Sequence, residues 1–195
     1  MLTTEQDRFR WNLHQDGIFS VRSMYHALIS NGNVRQDKVI WRLKMPLKIK
    51  IFFWYLRRGV VLTKDNLARR NWSGNLKCVL CSQDETIQHL FFDCHYARFI
   101  WRALHCTFGI DIPSNINHIF NGWLYRYSMK DQRLILVGTA AICWAIWLSR
   151  NELVFENAPK KSYLQVLFRG THWCRYWAQL QRREEDTTLM NDACR

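Results

Sequence analysis

KCVLCSQDETIQHLFFDCHY, residues 77–96, places four metal-binding side chains at a spacing that a bound ion readily explains. Cys78 and Cys81 form a C-x2-C pair, His89 follows after seven residues, and Cys94 after four more. Two thiolates two residues apart can grip one ion from a tight turn, and a second pair arriving from a short helix completes a closed tetrahedral Cys3His site. Zn2+ is the expected ion, one per chain. Four protein ligands leave no position for water, so the spacing predicts a structural ion rather than a catalytic one. A lone C-x2-C is also read as a redox pair or as small core residues. The further Cys and His within seventeen residues, separated by polar positions that suit a knuckle, argue for metal. His95 competes as the fourth ligand, but adjacent Cys94 and His95 rarely both reach one ion, so His89 is preferred. In so polar a segment the metal is expected to supply most of the local folding energy, on the order of 10 kcal/mol.

Working outward, Ser82 and Glu85 have the S-x-x-E spacing of a capping box, which predicts a short helix carrying His89. Cys94 lies five residues on, about 140° round an ideal helix, so an unbroken helix would not aim both at one ion. A turn near Asp93 is therefore expected before the next helix, residues 96–108. Upstream, Pro46 reads as the first residue of a helix through residue 58, apolar nearly all round at 51–56 and closed by Gly59. A short helix over 39–43 precedes it, and Thr63 can cap another, KDNLARR. Nearer the N-terminus, residues 9–13 and 18–21 flank Asp16-Gly17, a hairpin turn signal, and Ser20 or Ser23 can cap a helix to about residue 30.

Downstream, Gly109, Pro113 and Ser114-Asn115 mark the expected internal boundary. It divides a zinc-binding domain, residues 1–109, from a helical C-terminal extension, residues 110–195. The extension should hold a long helix over 131–156 and an amphipathic helix over 162–183, with Leu164, Leu167, Phe168, Trp173, Trp177 and Leu180 inward and a frayed tail from Glu184. The fold class expected is mainly α: a helical domain with a small N-terminal β-hairpin and an embedded Cys3His zinc knuckle.

With 195 residues, 48% of them apolar, and ten Trp, the chain can bury a real core. The opening MLTTEQDRFRW has no apolar leader pattern, and seven cysteines are an odd number. An intracellular, reducing location, nuclear or cytosolic, is expected. Cys106, Cys143, Cys174 and Cys194 lack ligand spacing and read as core or free thiols. The longest apolar run, 134–148, is too short to span about 30 Å of bilayer, so a buried helix and no membrane are expected. Net charge is +12, and residues 35–70 carry eleven Lys/Arg against two Asp, a local +9. Such a segment, interleaved with aromatics, suits RNA or DNA. Lys44, Lys48, Lys50, Arg57 and Arg58 are the candidate phosphate contacts. Phe91 and Phe92 are candidates for base stacking, although aromatics flanking a helix are more often core.

Several ordered motifs resemble a known family. Trp11, Gly17, Phe19-Ser20-Val21, Ser23 and Tyr25 come first. Then follow W-x-L-K-x-P-x-K-x-K-x-FFW from Trp41 to Trp54, LTKDNLARR, and C-x2-C-x7-H-L-F-F-x-C. Together they resemble the zinc-binding domain found downstream of the reverse transcriptase in plant LINE-type retrotransposons, and IWLSRNELVFEN, residues 146–157, is similar to the stretch that follows it. Val79 stands where the family often has proline, Ser82 where it often has glycine, and His95 where proline often opens the next helix. The resemblance implies a fragment of a mobile-element protein. Polymerase chemistry needs clustered carboxylates that hold Mg2+, and the sequence has no Asp-Asp pair. The expected function is a non-catalytic zinc-binding module that contacts nucleic acid through its basic helical segment. The alternative is an adapter that packs against a polymerase or host protein through exposed aromatic and apolar helices.

Overall fold

The computed structural model describes residues 10, 11, 16–18, 20, 21, 23, 34–156 and 158–194. It divides into two compact units, residues 1–41 and 42–195.

In the first unit, the N–H of Trp11 donates to the Gly17 carbonyl at 2.8 Å. Gly17 takes φ +72°, a conformation that suits glycine. No strand exists among the described residues, so the expected hairpin is not supported; most of residues 9–15, with Phe19, lie outside them. Two short strands without a third to lean on are marginal in water. The Ser23 N–H donates to Ser20 Oγ at 3.1 Å, the geometry expected of a cap at Ser20, while residues 24–30 of the helix expected there lie outside the described residues.

Helix α1, Val34–Arg42, runs to the unit boundary. In the second unit α2, Leu47–Arg57, starts after Pro46 and ends before Gly59, which takes φ +70°. It is less buried than its apolar run suggested: Ile49, Phe52, Phe53 and Leu56 face inward, whereas Ile51 and Tyr55 are exposed. Helix α3, Lys64–Ala68, follows Thr63. A π-helical turn spans His89–Asp93, and α4, His95–Phe108, closes at Gly109 with φ +64°. Helix α5, Ile116–Phe120, is capped by Asn115, whose side chain accepts from the His118 N–H.

Helix α6, Met129–Phe155, is capped by Ser128 and buries residues all round, from Leu134 to Arg150. By length and composition it could cross a membrane, contrary to the count made from its apolar run alone, but 56% of its most apolar window is buried within the protein. Helix α7, Tyr163–Ala178, begins with a reciprocal Ser162/Gln165 capping box and packs along α6. Gly170 sets their approach, because a Cβ there would lie 2.5 Å from Ile142 Cδ1. The buried face of α7 is Val166, Gly170, Trp177 and Ala178. Leu164, Phe168 and Leu180, expected inward, are exposed. Nor is the tail frayed: Glu184–Asp192 forms α8, with Met190 buried and Lys130 paired to Asp186 at 3.0 Å.

The core between α2, the π turn and α6 is aromatic. Phe52 packs edge-on to Trp144 with ring centroids 5.0 Å apart and lies 6.2 Å from Phe91. Trp101 of α4 donates its indole N–H to the Phe91 carbonyl at 2.8 Å. These contacts hold the backbone from which the metal-binding side chains project.

Candidate metal centre

The first ligand pair sits on a small knuckle. The Cys78 N–H donates to the Gln83 carbonyl at 2.8 Å, the Glu85 N–H donates to the Leu76 carbonyl at 2.9 Å, and an isolated antiparallel bridge joins Lys77 to Asp84. The chain thus doubles back between Cys78 and Gln83, with Cys81 at the bend. Two lysines clamp it: Lys64 Nζ donates to the Lys77 carbonyl, and Lys160 Nζ reaches the Leu80 carbonyl at 2.7 Å.

The second pair comes from the π turn. The break that the sequence predicted near Asp93 falls at Cys94, and the turn before it is widened: the Cys94 N–H donates to the His89 carbonyl at 2.7 Å, five residues back. That wider loop brings Cys94 round toward the side of His89, as an α-helical turn would not. Cys94 then leaves the helix with φ −57° and ψ 140° and starts α4. The short helix is not capped by Ser82. It begins after Thr86, whose hydroxyl accepts from the His89 N–H at 3.0 Å.

The structure brings the four expected ligands together. One ligand atom each from Cys78, Cys81, His89 and Cys94 lies within 4.8 Å of the others. Cys81 Sγ is 3.0 Å from His89 Nε2 and 4.0 Å from Cys94 Sγ. A tetrahedron with Zn–S bonds of about 2.3 Å has edges of roughly 3.8 Å, so these separations suit one such ion. Cys78 and Cys94 are buried and Cys81 is partly exposed. His95 is exposed and packs edge-on against Tyr163. The thiols restrain one another's ionisation. The hydrogen bond from Cys94 pulls Cys78 down to about 4, the same bond and then burial hold Cys94 far above the thiol range, and burial raises Cys81. A divalent cation is the charge that lets all three become thiolates. Soft sulfur and one imidazole, closed off from water on the buried side, fit Zn2+.

Glu85 is the residue whose role the sequence concealed. It is 1% exposed, and its carboxylate accepts from Arg150 Nη2 at 2.6 Å, from Arg150 Nε at 3.1 Å and from the Lys64 N–H at 3.1 Å. Arg150 is itself 1% exposed. A buried guanidinium–carboxylate fork thus ties the knuckle to α6 across 65 residues. The available signal was a lone Arg following the apolar run at residues 134–148.

The five candidate phosphate contacts fall in two groups along α2. Lys44, Lys48 and Lys50 lie at the start of α2, and Arg57 and Arg58 lie at its end, roughly 13 Å along the axis. Several rest on aromatic rings: Lys48 Nζ is 5.8 Å from the Trp144 ring, Arg57 is 4.8 Å from Phe120, and Arg58 is 5.6 Å from Trp54. Partial burial, then the charge of Lys44, lowers the Lys50 pKa. Phe91 and Phe92 are buried and unavailable for stacking on bases.

Comparison with known proteins agrees with the geometry. Residues 19–101 match the family model described as zinc-binding in reverse transcriptase. A putative ribonuclease H protein of Arabidopsis thaliana is 31% identical over 107 residues, which cover 52% of this chain and 17% of the relative. The chain thus matches only about a sixth of that relative's length. No solved structure matches. Residues 19–101 are thus similar to the zinc-binding domain of reverse transcriptases, and the Cys78, Cys81, His89 and Cys94 cluster lies inside the matched segment.

Proposed function

We propose that this chain is a non-catalytic module of a protein derived from a plant LINE-type retrotransposon, folded around one structural Zn2+ and binding RNA or DNA. The observation that carries the reading is the convergence of three sulfurs and one imidazole within 4.8 Å, inside the matched segment. Cys78, Cys81, His89 and Cys94 would hold the ion. With all four positions taken by protein, it supplies cross-linking and charge neutralisation rather than an activated water. The basic residues at both ends of α2 support the nucleic-acid partner, as does a net charge of +12.

Metal analysis of the purified chain tests the first half: about one zinc per chain, lost in Cys78→Ser together with helical signal. Filter binding at rising salt tests the second. Affinity should fall steeply with salt, and micromolar or weaker binding without a salt slope would sink that half.

A protein-adapter reading has its own support in an outward apolar stripe along α7 and just past its end, where Leu164, Phe168, Tyr176 and Leu180 are 47–64% exposed. Sedimentation decides it. If the stripe is an interface, the chain should self-associate or require a partner for solubility, and Leu164→Ser/Phe168→Ser should abolish that behaviour.

A further inference from the structure

We infer a binding platform for single-stranded nucleic acid on the outer face of α4 where it meets the start of α7, a surface outside the basic segment of α2. The inference rests on the nucleic-acid reading above and gives it a location. Helix α4 buries Tyr96, Ala97, Ile100 and Trp101, which leaves His95, Arg98, Phe99 and Arg102 on its exposed side. Tyr163, the first residue of α7, lies against Phe99 with ring centroids 5.2 Å apart and planes 29° from parallel. His95 meets Tyr163 edge-on at 5.6 Å. Phe99 and Tyr163 nevertheless remain 39% and 38% exposed, so the stacked pair still offers ring surface to solvent.

The two segments that carry this aromatic group are basic. Residues 94–110 contain Arg98 and Arg102 and no carboxylate, and residues 157–183 contain six Lys/Arg and no carboxylate. Glu152 of α6 pairs with Lys161 and Arg169. Arg98 and Arg102 have no ion pair among the described residues. Cationic side chains beside exposed aromatic planes suit phosphates and unpaired bases together, because bases of a single strand can extend an aromatic stack whereas those of a duplex are already stacked. The platform is also stiff. His95 directly follows Cys94, and Lys160 lies 5.4 Å from the Tyr96 ring while it holds the Leu80 carbonyl of the knuckle. A rigid support reduces the ordering cost of capturing a flexible strand.

The test uses the zinc-loaded full chain with a fluorescein-labelled short oligouridylate and a duplex RNA of equal length, titrated at several salt concentrations. The wild type should prefer the single strand. Phe99→Ala/Tyr163→Leu should weaken oligouridylate binding by roughly tenfold or more with its salt slope kept. Arg98→Gln/Arg102→Gln, at exposed positions, should reduce the slope by about 1.4. Zinc content and a thermal melt establish that each variant folds, and the arginine pair reads the same surface should the aromatic pair fail to fold. If both variants bind like the wild type, or if the wild type binds duplex equally well, the platform is overturned while the function stands. If the wild type binds neither probe, the nucleic-acid reading falls with it.

Discussion

The knuckle at residues 77–94 and the α6–α7 pair are held by opposite means. In the pair, apolar side chains along α6 meet Val166, Gly170 and Trp177 of α7, and the energy is spread over many contacts. In the knuckle and the approach to it, residues 71–77 and 82–84 are exposed, and order comes from a few strong points: the four convergent ligands, the lysine clamps and the Glu85–Arg150 fork. Diffuse packing degrades gradually under mutation. A knuckle held by point contacts should fail abruptly when one of them is removed.

The contrast is broken most severely by removing metal. Chelation, or Cys78→Ser, should cost the knuckle on the order of 10 kcal/mol of folding energy. Far-ultraviolet circular dichroism should then show lost helix near the π turn and a lower melting temperature, with much of the α6–α7 signal surviving. Loss of all helical signal at once would show that the two regions are a single cooperative unit. Next in size, Glu85→Gln or Arg150→Met alone should cost about 3–5 kcal/mol, because each leaves a buried charge without its partner. Replacing both by apolar residues should recover most of that loss, as a denaturant double-mutant cycle would read. Gly170→Ala probes the diffuse side: the new methyl meets Ile142 Cδ1 at 2.5 Å, so about 1–3 kcal/mol should be lost. Ile142→Val in the same chain should restore part of it.

The smallest effect is a pH dependence. Hydrogen bonding from Arg169, and then from Lys161, holds the Glu152 carboxyl below its ordinary range. Its contribution is present in full above the ordinary carboxylate range and is lost as pH falls through the lowered folded value. The melting temperature of Glu152→Gln should thus lie slightly below wild type at neutral pH and converge with it on acidification, a difference of at most about 1 kcal/mol.

What could be read from sequence was whatever is settled by neighbours in the chain. The four ligands lie within seventeen residues, and helix ends at Gly59, Gly109 and Ser162 are set by local backbone and capping chemistry. Long-range partners changed the rest. Glu85 has the spacing of a cap residue, but Arg150 takes it, and Thr86 caps instead. Helix α7 carries apolar residues on two faces, and the close approach at Gly170 decides which is buried. The acidic tail looked frayed because its counter-charge, Lys130, comes from the start of α6. The platform at Phe99 and Tyr163 escaped notice because a count of charges along the chain does not join residues more than sixty positions apart.

The fork between Glu85 and Arg150 also sets where this molecule can be cut. A truncation placed at the end of the matched segment, residue 101, or at Gly109, would keep every ligand yet remove Arg150 with the whole of α6, leaving the Glu85 carboxylate only the Lys64 N–H of these partners. A piece that keeps the ligand cluster with its fork extends past Arg150, and past Lys160 if the anchor on the loop between Cys78 and Cys81 is kept too. Homology therefore outlines less of the chain than physics requires it to keep.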